Sequence, residues 1–372
     1  MALQKQWLIK IYGRDGTTLK KTVVWDTVKS KPTFSCRING GYGECVLDLT
    51  GTSFKFDNFG EGTIIDFTFI VDIYEADPTN AATGRRIYRG FISKYEPYIE
   101  QGGFEGVRVT CLGLISLLTR DYYGQFTDQV KSGVDPRAIG ESIIDNYNTI
   151  FGGSLLSYTS GTSTSTVGTN VSYTFSNMKW FDSLTQVGML AGTNWWWKID
   201  ENGLYWLQAK PSTATHKFTI GLNVNSIQAP KDGEKVINYV RVVRSGGTIT
   251  NYSDAPSQAI FGTGGTPTGR NSVLISDSAI TDANGADQRG NTELGNFKNA
   301  VNSAVITVNS KYDLESIKVG QTCKVMHYNK DSTFFGSNLM IVGTTYDGDT
   351  CRVETERPPS DFGLELNKFV NP

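Results

Sequence analysis

The side chains that most often perform chemistry in proteins are few and scattered in this sequence. Only two histidines occur, His216 and His327, and they lie far apart along the chain. His327 alternates with Val325 and Cys323 on one predicted strand face, which indicates a hydrogen-bonded core or interface histidine rather than a ligand. With two separated histidines and no C-x-x-C pair, the spacing of a tetrahedral zinc site is missing. Neither histidine lies near a G-x-S-x-G elbow, so no histidine-dependent triad is indicated. We therefore predict no catalytic residues, no metal site and no cofactor.

Two further segments have the composition of a binding loop without its spacing. Gly262, Gly264 and Gly265 lie in a Thr/Pro-rich stretch and lack the flanking strand and helix of a phosphate-binding motif. The segment Asp282–Asp287 (DANGAD) is rich in oxygen ligands, but it misses the alternating positions and the downstream glutamate of a calcium loop. We predict an ordinary turn before a helix at this point.

A cluster of tryptophans is the strongest candidate for a contact surface. Trp195, Trp196 and Trp197 are consecutive, and Trp206 follows the predicted turn Asp200–Gly203 (DENG). Trp195 and Trp197 share one face of a hairpin strand and Trp196 takes the other, so at least one face is expected in the core or against another subunit. Sugar stacking is the alternative, although nothing among the 37 acidic residues singles out a carboxylate pair for glycoside hydrolysis.

The composition is typical of a soluble, strand-rich protein. Of the 372 residues, 38% are hydrophobic and 19% are charged, and the chain contains 40 glycines and 17 tyrosines. The formal net charge of −2 argues against a general nucleic-acid binder, which needs a basic surface. No apolar run approaches the roughly 20 residues of a membrane-spanning helix, and the N-terminus lacks a signal-peptide core. The dispersed cysteines are expected to be buried and reduced, which favours synthesis in a cytoplasm; they are Cys36, Cys45, Cys111, Cys323 and Cys351.

The chain up to about residue 120 has the pattern of successive β-strands. From Ile65 to Ile73 every second residue is apolar, which predicts one half-buried strand with Asp66 and Asp72 on its polar side. A polar loop at 77–84 is expected to lead to strands at 86–95 and 107–112, and a small barrel or sandwich is the expected fold. Within Thr33–Leu49 (TFSCRINGGYGECVLDL) we expect turns or bulges at Gly40, Gly41 and Gly43.

The middle of the chain mixes helical and strand patterns. Asp135 followed by Pro136 predicts a helix start, because the carboxylate can accept backbone N–H bonds and the proline ring suits the first helical turn. The Ser/Thr/Gly stretch at 157–169 is expected to be a loop with nothing to bury. A second helix is predicted from Asn177 to about Gly192. The inward residues are expected to be Ile139, Ile143 and Tyr147 in the first helix and Phe181, Leu184 and Val187 in the second.

The last part of the chain returns to strand patterns. Strands are predicted at Ile306, at 321–328 and at 338–346, and Asp347–Gly348 predicts a tight hairpin turn. Ser245–Asn271 is expected to be a flexible excursion because of its Gly/Ser/Thr/Pro composition. A helix is expected around 286–304, with an apolar stripe formed by Leu294, Phe297, Val301 and Ala304.

Several segments together resemble the central hub proteins of phage tail tips. They are INGGYGECVLDL, RIYRGFI and GVRVTCLGLISLL in the first block, the helix and aromatic hairpin NMKWFDSLTQVGMLAGTNWWWKIDENGLYWLQAKP, the segment HKFTIGLNVNSIQAPKDGEKVINYVRVV, and the late strand ESIKVGQTCKVMHY. This order is similar to that of a siphophage-type hub, which is related to the hub of contractile-tail baseplates and to the base of the type VI secretion spike. The likeness runs from about residue 5 to residue 357 and includes no catalytic signature.

The resemblance implies a mainly β protein in which two tail-tube-like barrels flank a smaller α+β domain. It implies a homotrimer whose six barrels form a pseudo-hexameric ring that joins the sixfold tail tube to the threefold tip. DNA would pass through this ring without sequence-specific binding, and no stable membrane insertion is implied. The implied location is the tail tip of the virion, after synthesis in the bacterial host cytoplasm. The implied partners are the tail tube or distal tail protein, the tape measure protein, and tip or receptor-binding proteins.

The expected domains are a first barrel at 1–120, an α+β domain with the aromatic hairpin at 121–216, a second barrel at 217–357 that is interrupted at about 245–304, and a tail at 358–372. Because the sequence lacks an appended cell-wall-cleaving or receptor-binding domain, no lytic role is expected. The alternatives are a carbohydrate-binding or carbohydrate-cleaving β-protein and a host-receptor-binding tail protein. The residues expected at an intersubunit contact are Trp195, Trp196, Trp197, Tyr252 and Phe261.

Overall fold

The computed structural model describes residues 6–24, 31–50, 54, 64–77, 80–125, 127–153, 155–228, 231–232, 236–261, 269–298, 301–302, 304–327 and 338–355. Strands contain 48% of these residues and helices 21%, which confirms the prediction of a mainly β fold. The expected tail at 358–372 and the glycine stretch Gly262–Gly265 lie outside the described residues. Within the described part of the chain, no helix has both the length and the apolar character needed to cross a membrane.

The first β-block is an antiparallel sheet of seven strands. They are β1 (Gln6–Tyr12), β2 (Leu19–Val24), β3 (Thr33–Arg37), β4 (Gly40–Thr50), β5 (Ile70–Asp77), β6 (Asn80–Ile99) and β7 (Glu105–Gly113). Their order in the sheet is β2-β1-β5-β6-β7-β4-β3. The inward faces of neighbouring strands bury alternate residues, for example Leu47 and Leu49 on β4 against Val107 and Val109 on β7, as a half-buried sheet requires.

The predicted strand from Ile65 was wrong in its first half, where the chain makes a turn. Asp66 is buried, and its carboxylate accepts the N–H of Phe67 at 2.7 Å and Nη2 of Arg14 at 2.9 Å. Such a local side-chain bond competes with strand pairing, so β5 begins only at Ile70 and Phe67 is exposed. Asp72, expected on the polar side, is also buried. Most of the expected loop at 77–84 is strand instead, because β6 begins at Asn80.

The middle of the chain forms an α+β unit. After a 3-10 helix at Leu114–Thr119 it contains β8 (Tyr122–Tyr123), β9 (Gln129–Val134), α1 (Pro136–Phe151), β10 (Val171–Phe175), β11 (Met178–Lys179), α2 (Trp180–Ala191), β12 (Trp195–Ile199) and β13 (Tyr205–Ala209). The start of α1 is confirmed, since Asp135 accepts the N–H of Arg137 at 2.8 Å. The expected start of α2 at Asn177 was too early, because Asn177 has a positive φ of 45°. The loop at 157–169 does bury side chains, namely Ser163 and Thr164.

Six strands of the second β-block, in the last part of the chain, close into a barrel. They are β14 (His216–Ile220), β15 (Val224–Gln228), β21 (Ala304–Asn309), β22 (Thr322–His327), β23 (Leu339–Tyr346) and β24 (Thr350–Thr355), with a 3-10 helix at Leu314–Ser316 before β22. The pairings run β23-β22-β14-β15-β21-β24 and return to β23. The barrel is continuous with the first β-block, because β23 also pairs with β3 from Gly343↔Arg37 to Tyr346↔Phe34.

Between β15 and β21 the chain leaves the barrel, and we call the described residues 236–261 and 269–298 the excursion. The short strands β16 (Lys231–Asp232) and β20 (Val301–Asn302) pair where it leaves and returns. The excursion contains β17 (Tyr239–Val243), a 3-10 helix at Ser245–Gly247, β18 (Ile249–Ser253), α3 (Ala255–Phe261), β19 (Ser272–Ser276) and α4 (Ala283–Phe297).

The description of Ser245–Asn271 as a flexible stretch was therefore wrong for its described residues. Strand β18 pairs with β17 over five residues, and Asp254 accepts the N–H of Ser257 at 2.9 Å at the start of α3. Helix α4 ends earlier than expected, so Val301 and Ala304 lie in strands. The predicted turn before it is confirmed, since Asp282 accepts the N–H of Gly285 at 2.7 Å.

Two hydrophobic cores organise these parts. One core contains residues of both the first β-block and the barrel, such as Leu47 and Val353. The other contains residues of the α+β unit and of the excursion, such as Ile143 and Val240. The excursion therefore packs with the middle of the chain rather than with the barrel from which it departs.

Candidate functional site: a joint between the β-blocks and the α+β unit

The hairpin β12–β13 connects the two cores. It contacts the first β-block by backbone pairing. Strand β12 pairs in parallel with β4, with Lys198 opposite Gly40 and Ile199 opposite Gly41. A Cβ atom on Gly41 would lie 2.5 Å from the carbonyl oxygen of Ile199, so this close approach requires glycine. Gly40 and Gly41 are thus contact positions and not turns, whereas Gly43 lies at the predicted bulge, where the β3–β4 register shifts.

The tryptophans divide between the two cores. Trp197 is 0% exposed and lies edge-on to Phe181 of α2 at 5.4 Å between ring centroids. Trp196 is 5% exposed and belongs to the core of the β-blocks. Its ring covers Gly320, where a Cβ atom would lie 2.3 Å from the indole and φ is +86°. Both side chains are buried within one chain, and the expected intersubunit contact of Trp196 and Trp197 stays a prediction.

The other three predicted contact residues are only half-buried. Trp195 and Tyr252 pack against the core of the α+β unit. The Tyr252 hydroxyl donates to Asp287 at 2.7 Å. Phe261 is the last residue of α3. Nothing in the single chain tests whether these three side chains meet another subunit, so their role stays a prediction.

A group of polar side chains is enclosed where the hairpin meets both β-blocks. We call it the ionic joint, and its members are Tyr42, Lys198, Asp200, Glu201 and Lys318. Lys198 is buried, and its Nζ donates to the carbonyl oxygen of Val319 at 3.0 Å. The same ammonium lies 5.6 Å and 5.7 Å from the ring centroids of Trp196 and Trp206, a cation–π arrangement. Burial lowers the pKa of Lys198 below that of an exposed lysine.

Asp200 fixes the hairpin turn. Its Oδ1 accepts the N–H groups of Asn202 at 2.8 Å and of Leu204 at 3.0 Å, and its Oδ2 accepts the indole N–H of Trp206 at 2.8 Å. Burial and the neighbouring charge of Glu201 raise the pKa of Asp200. The sequence correctly predicted this turn, but it gave no sign that the carboxylate also holds Trp206.

Glu201 links the hairpin to the barrel and to the first β-block at once. Its Oε1 lies 3.0 Å from Nζ of Lys318, and its Oε2 accepts the hydroxyl of Tyr42 at 3.1 Å. Nζ of Lys318 also lies 3.1 Å from the Tyr42 oxygen, so the three groups form a closed triangle. Burial acts to raise the pKa of Glu201, but the charge and hydrogen bond of Lys318, a backbone hydrogen bond and the charge of Lys198 together outweigh it, so the pKa is lowered. Burial holds the pKa of Tyr42 well above its ordinary value.

The ionic joint continues into the first β-block through two arginines. Arg86 lies 3.1 Å and Arg89 lies 3.3 Å from the buried carboxylate of Asp72. Arg86 also lies 3.5 Å from the carbonyl oxygen of Glu201. Burial raises the pKa of Asp72 despite both guanidinium groups. These contacts explain why a charged residue interrupts the apolar face of β5.

A second ionic group bridges the first β-block and the barrel. The carboxylates of Glu75, Asp313 and Glu315 have oxygen atoms within 4.8 Å of one another. Arg85 contacts two of them, Glu75 at 2.6 Å and Asp313 at 2.9 Å, and Glu315 accepts the hydroxyl of Tyr346 at 2.7 Å. With a guanidinium already between the carboxylates, we interpret this group as an ion-pair network.

His216 has the environment of a structural histidine. Its Nδ1 lies 3.0 Å from the Tyr312 hydroxyl and its Nε2 lies 2.7 Å from Oε1 of Gln321. Its ring stacks on Phe218 with an interplanar angle of 7°. Burial lowers the pKa of His216, so the neutral ring is favoured. His327 lies half-buried on β22, opposite Ile220.

The sequence reasoning did not single out the charged members of the ionic joint. One signal was present, since Lys198 lies between Trp197 and Ile199 in a segment whose other residues are all apolar or aromatic. A charged residue in such a position is seldom buried without a partner. The partners Tyr42 and Lys318 lie in distant segments, and no pattern within the hairpin points to them.

The sequence matches no protein-family model and no curated protein. Solved structures nevertheless share the architecture described above. The 43 kDa tail protein of the prophage MuSo2 from Shewanella oneidensis is 15% identical, with a TM-score of 0.63 over 95% of this chain and 98% of that one. A tail protein from Neisseria meningitidis is 9% identical, with a TM-score of 0.61 over 94% and 96% of the two chains. A prophage tail protein from Listeria monocytogenes is 10% identical, with a TM-score of 0.58 over 98% and 100%.

The chain has the fold of phage tail proteins. This confirms the fold that the resemblance implied, including the mainly β architecture with an α+β insertion. At these identities the likeness concerns the fold, and it transfers no site residue from one protein to another. The ionic joint is therefore described from this chain alone.

Proposed function

We propose that this protein is a structural hub of a phage tail tip and that it has no enzymatic activity. The observation that carries the proposal is the likeness of fold to three phage or prophage tail proteins over nearly the full length of each chain. The side chains that would suit catalysis support it as well. Asp200, Glu201 and His216 each have internal partners that fix their position. The burial of Trp196 and Trp197 also supports this proposal over sugar binding, because sugar stacking needs accessible rings.

The proposed assembly is a homotrimer in which six β-blocks form a pseudo-hexameric ring between the sixfold tail tube and the threefold tip. Two β-blocks in each of three chains supply six blocks, and head-to-tail contacts can close such a ring. The firm connection within one chain suits this role, because β3–β23 pairing and two ionic groups hold the blocks together. The domain boundaries at residues 120 and 216 are part of this proposal.

The proposed partners are the neighbouring tail tube or distal tail protein, the tape measure protein and the tip or receptor-binding proteins. The channel of the ring would pass DNA without binding it tightly, and a net charge of −2 suits that role because phosphate binding needs many basic side chains. The virion tail tip is the proposed location.

Native mass spectrometry and end-on electron microscopy of the purified full-length chain test the trimer. The expected result is a mass of three chains and a ring with six lobes. The proposal fails if the protein remains a monomer or a dimer both at high concentration and within assembled tail tips. Activity against cell-wall material that is lost when one acidic residue is replaced would overturn the non-enzymatic part.

The excursion supplies the proposed contact with the next subunit. Ile260 of α3 is 72% exposed, beside the half-buried Phe261, and large apolar side chains commonly anchor interfaces. Ile260→Asp should reduce the trimer fraction at least roughly tenfold, since a charge would be desolvated in the contact. Phe104→Asp is the matched control, because Phe104 is equally exposed, at 72%, beyond the end of β6. Equal assembly of the wild type and Ile260→Asp would refute this placement.

A further inference from the structure

Two of the cysteines face each other across neighbouring strands. In the β4–β7 ladder, Cys45 is directly opposite Cys111, with a regular register on both sides from Glu44↔Leu112 to Thr50↔Gly106. Both thiols are free and fully buried. Directly opposite residues of an antiparallel pair project to the same side of the sheet, and here that side is the core shared by the β-blocks.

The backbone geometry at this position is suited to a disulfide. Opposite residues in an antiparallel ladder have Cα atoms about 4.5 or 5.5 Å apart, depending on whether the pair is hydrogen-bonded. Disulfides usually join Cα atoms about 4.4–6.8 Å apart, so either case falls within the range. The two thiols are also close enough for Cys111 to contribute to the raised pKa of Cys45.

In the described ladders, the residues opposite the other three cysteines are of other types. Cys36 is opposite Tyr42 and Thr344. Cys323 is opposite Leu339 and His216. Cys351 is opposite Tyr346 and Val308. The arrangement of Cys45 and Cys111 is thus specific among the five cysteines of the chain.

We propose that Cys45 and Cys111 form a latent disulfide site, which links β4 to β7 when the protein folds or opens in the presence of a small disulfide oxidant such as oxidised glutathione. One thiolate attacks the oxidant, forms a mixed disulfide and releases one glutathione thiolate. The second cysteine thiolate then attacks the mixed disulfide, forms the Cys45–Cys111 bond and releases the second glutathione. Two protein thiols are oxidised, one glutathione disulfide is reduced to two thiols, and the two protons are taken up by the leaving thiolates.

Burial determines when this reaction takes place. Desolvation raises the pKa of both thiols well above that of a free cysteine, and the thiolate is the attacking species. In the closed fold the pair is therefore unreactive, and the link forms while the strands come together or separate. The inference does not depend on the proposed tail function.

Tryptic digestion gives a direct test, because each of the five cysteines lies in a different tryptic peptide. The full-length wild type is reduced and unfolded, refolded in a mixture of reduced and oxidised glutathione, alkylated and digested without reductant. The expected dominant cross-linked species joins Ile38–Lys55 to Val109–Arg120, and its mass is two hydrogen atoms below the sum of the two peptides. Folded, soluble protein without this species, or with other cysteine pairs linked in similar yield, would overturn the proposal.

A stability comparison uses matched variants. Oxidative refolding should raise the Tm of the wild type by several degrees, since a link between residues distant in sequence restricts the unfolded chain. The same rise is expected for Cys323→Ser, which removes a fully buried cysteine without a cysteine opposite. No rise is expected for Cys111→Ser, and a rise there would contradict the assignment. If Cys111→Ser does not fold, the cross-linked peptide of the wild type still decides the question.

Discussion

Replacing Lys318 by methionine should destabilise the ionic joint by leaving a carboxylate without its cation. The side chains of Lys318 and Glu201 are only 20% and 13% exposed, and their charged atoms lie 3.0 Å apart. Removing one partner of a buried ion pair costs about 3–5 kcal/mol. Because Tyr42 still donates to Glu201, we expect the lower end of that range, about 3 kcal/mol in the free energy of unfolding.

Urea unfolding followed by tryptophan fluorescence measures this change, and two further variants make it specific. Lys94→Met removes an ion pair with Glu96 whose side chains are 64% and 49% exposed, so its cost should be much smaller than that of Lys318→Met. The double variant Glu201→Gln/Lys318→Met should recover part of the lost stability, with a coupling energy of about 1 kcal/mol or more.

The pH dependence identifies the cause. The pKa of Glu201 is lowered in the folded protein from an ordinary value of 4.5. A carboxylate with a depressed pKa contributes stability above its unfolded pKa and loses that contribution as the pH falls through the folded pKa. The difference between the wild type and Lys318→Met should therefore shrink as the pH falls below 4.5. A Lys318→Met cost no larger than that of Lys94→Met, or one that does not change with pH, would refute the reasoning.

Three more predictions concern the same region and are measured as free energies of unfolding. Gly320→Ala should cost at least about 2 kcal/mol, because a side chain at φ +86° is strained and its Cβ would meet Trp196; an unchanged Tm would contradict this. Trp196→Ala should cost about 3–5 kcal/mol through the cavity it leaves. A cost below about 1 kcal/mol would contradict the assignment of Trp196 to the core of the β-blocks. Burial lowers the pKa of His216 from 6.5, so its protonation opposes folding and stability should rise with pH up to about 6.5. His216→Gln should reduce that slope, and an identical slope would exclude His216 as its source.

Local signals in the sequence predicted the elements that depend on neighbouring residues. The start of α1 follows from Asp135 and Pro136, and the aromatic hairpin follows from the alternation around Trp197 and the DENG turn. In each case the deciding bonds form within a few residues, for example from Asp135 to Arg137. A single sequence contains all the information that such an element needs.

Predictions failed where contacts between distant segments decide the structure. The composition of Ser245–Asn271 indicated a loop, yet β18 is stabilised by pairing along β17, and Lys298 contacts Asp254 at the start of α3 at 2.9 Å. The ionic joint has the same origin, because Tyr42, Glu201 and Lys318 come together only when three segments meet. No periodicity within one segment contains that information.

The character of the joint bears on what it does for the molecule. A buried ion pair is often no more stabilising than well-packed apolar residues of the same size, so stability alone does not account for Glu201 and Lys318. Hydrogen bonds and ion pairs, by contrast, are made in only one position of the hairpin relative to the β-blocks. Two close glycine contacts nearby require the same position, Gly41 against Ile199 and Gly320 against Trp196. A purely apolar contact is not directional, so the hairpin could shift along the β-blocks with little loss of contact free energy. We infer that the joint fixes the position of the hairpin on the β-blocks, which is a property that a subunit of the proposed ring needs.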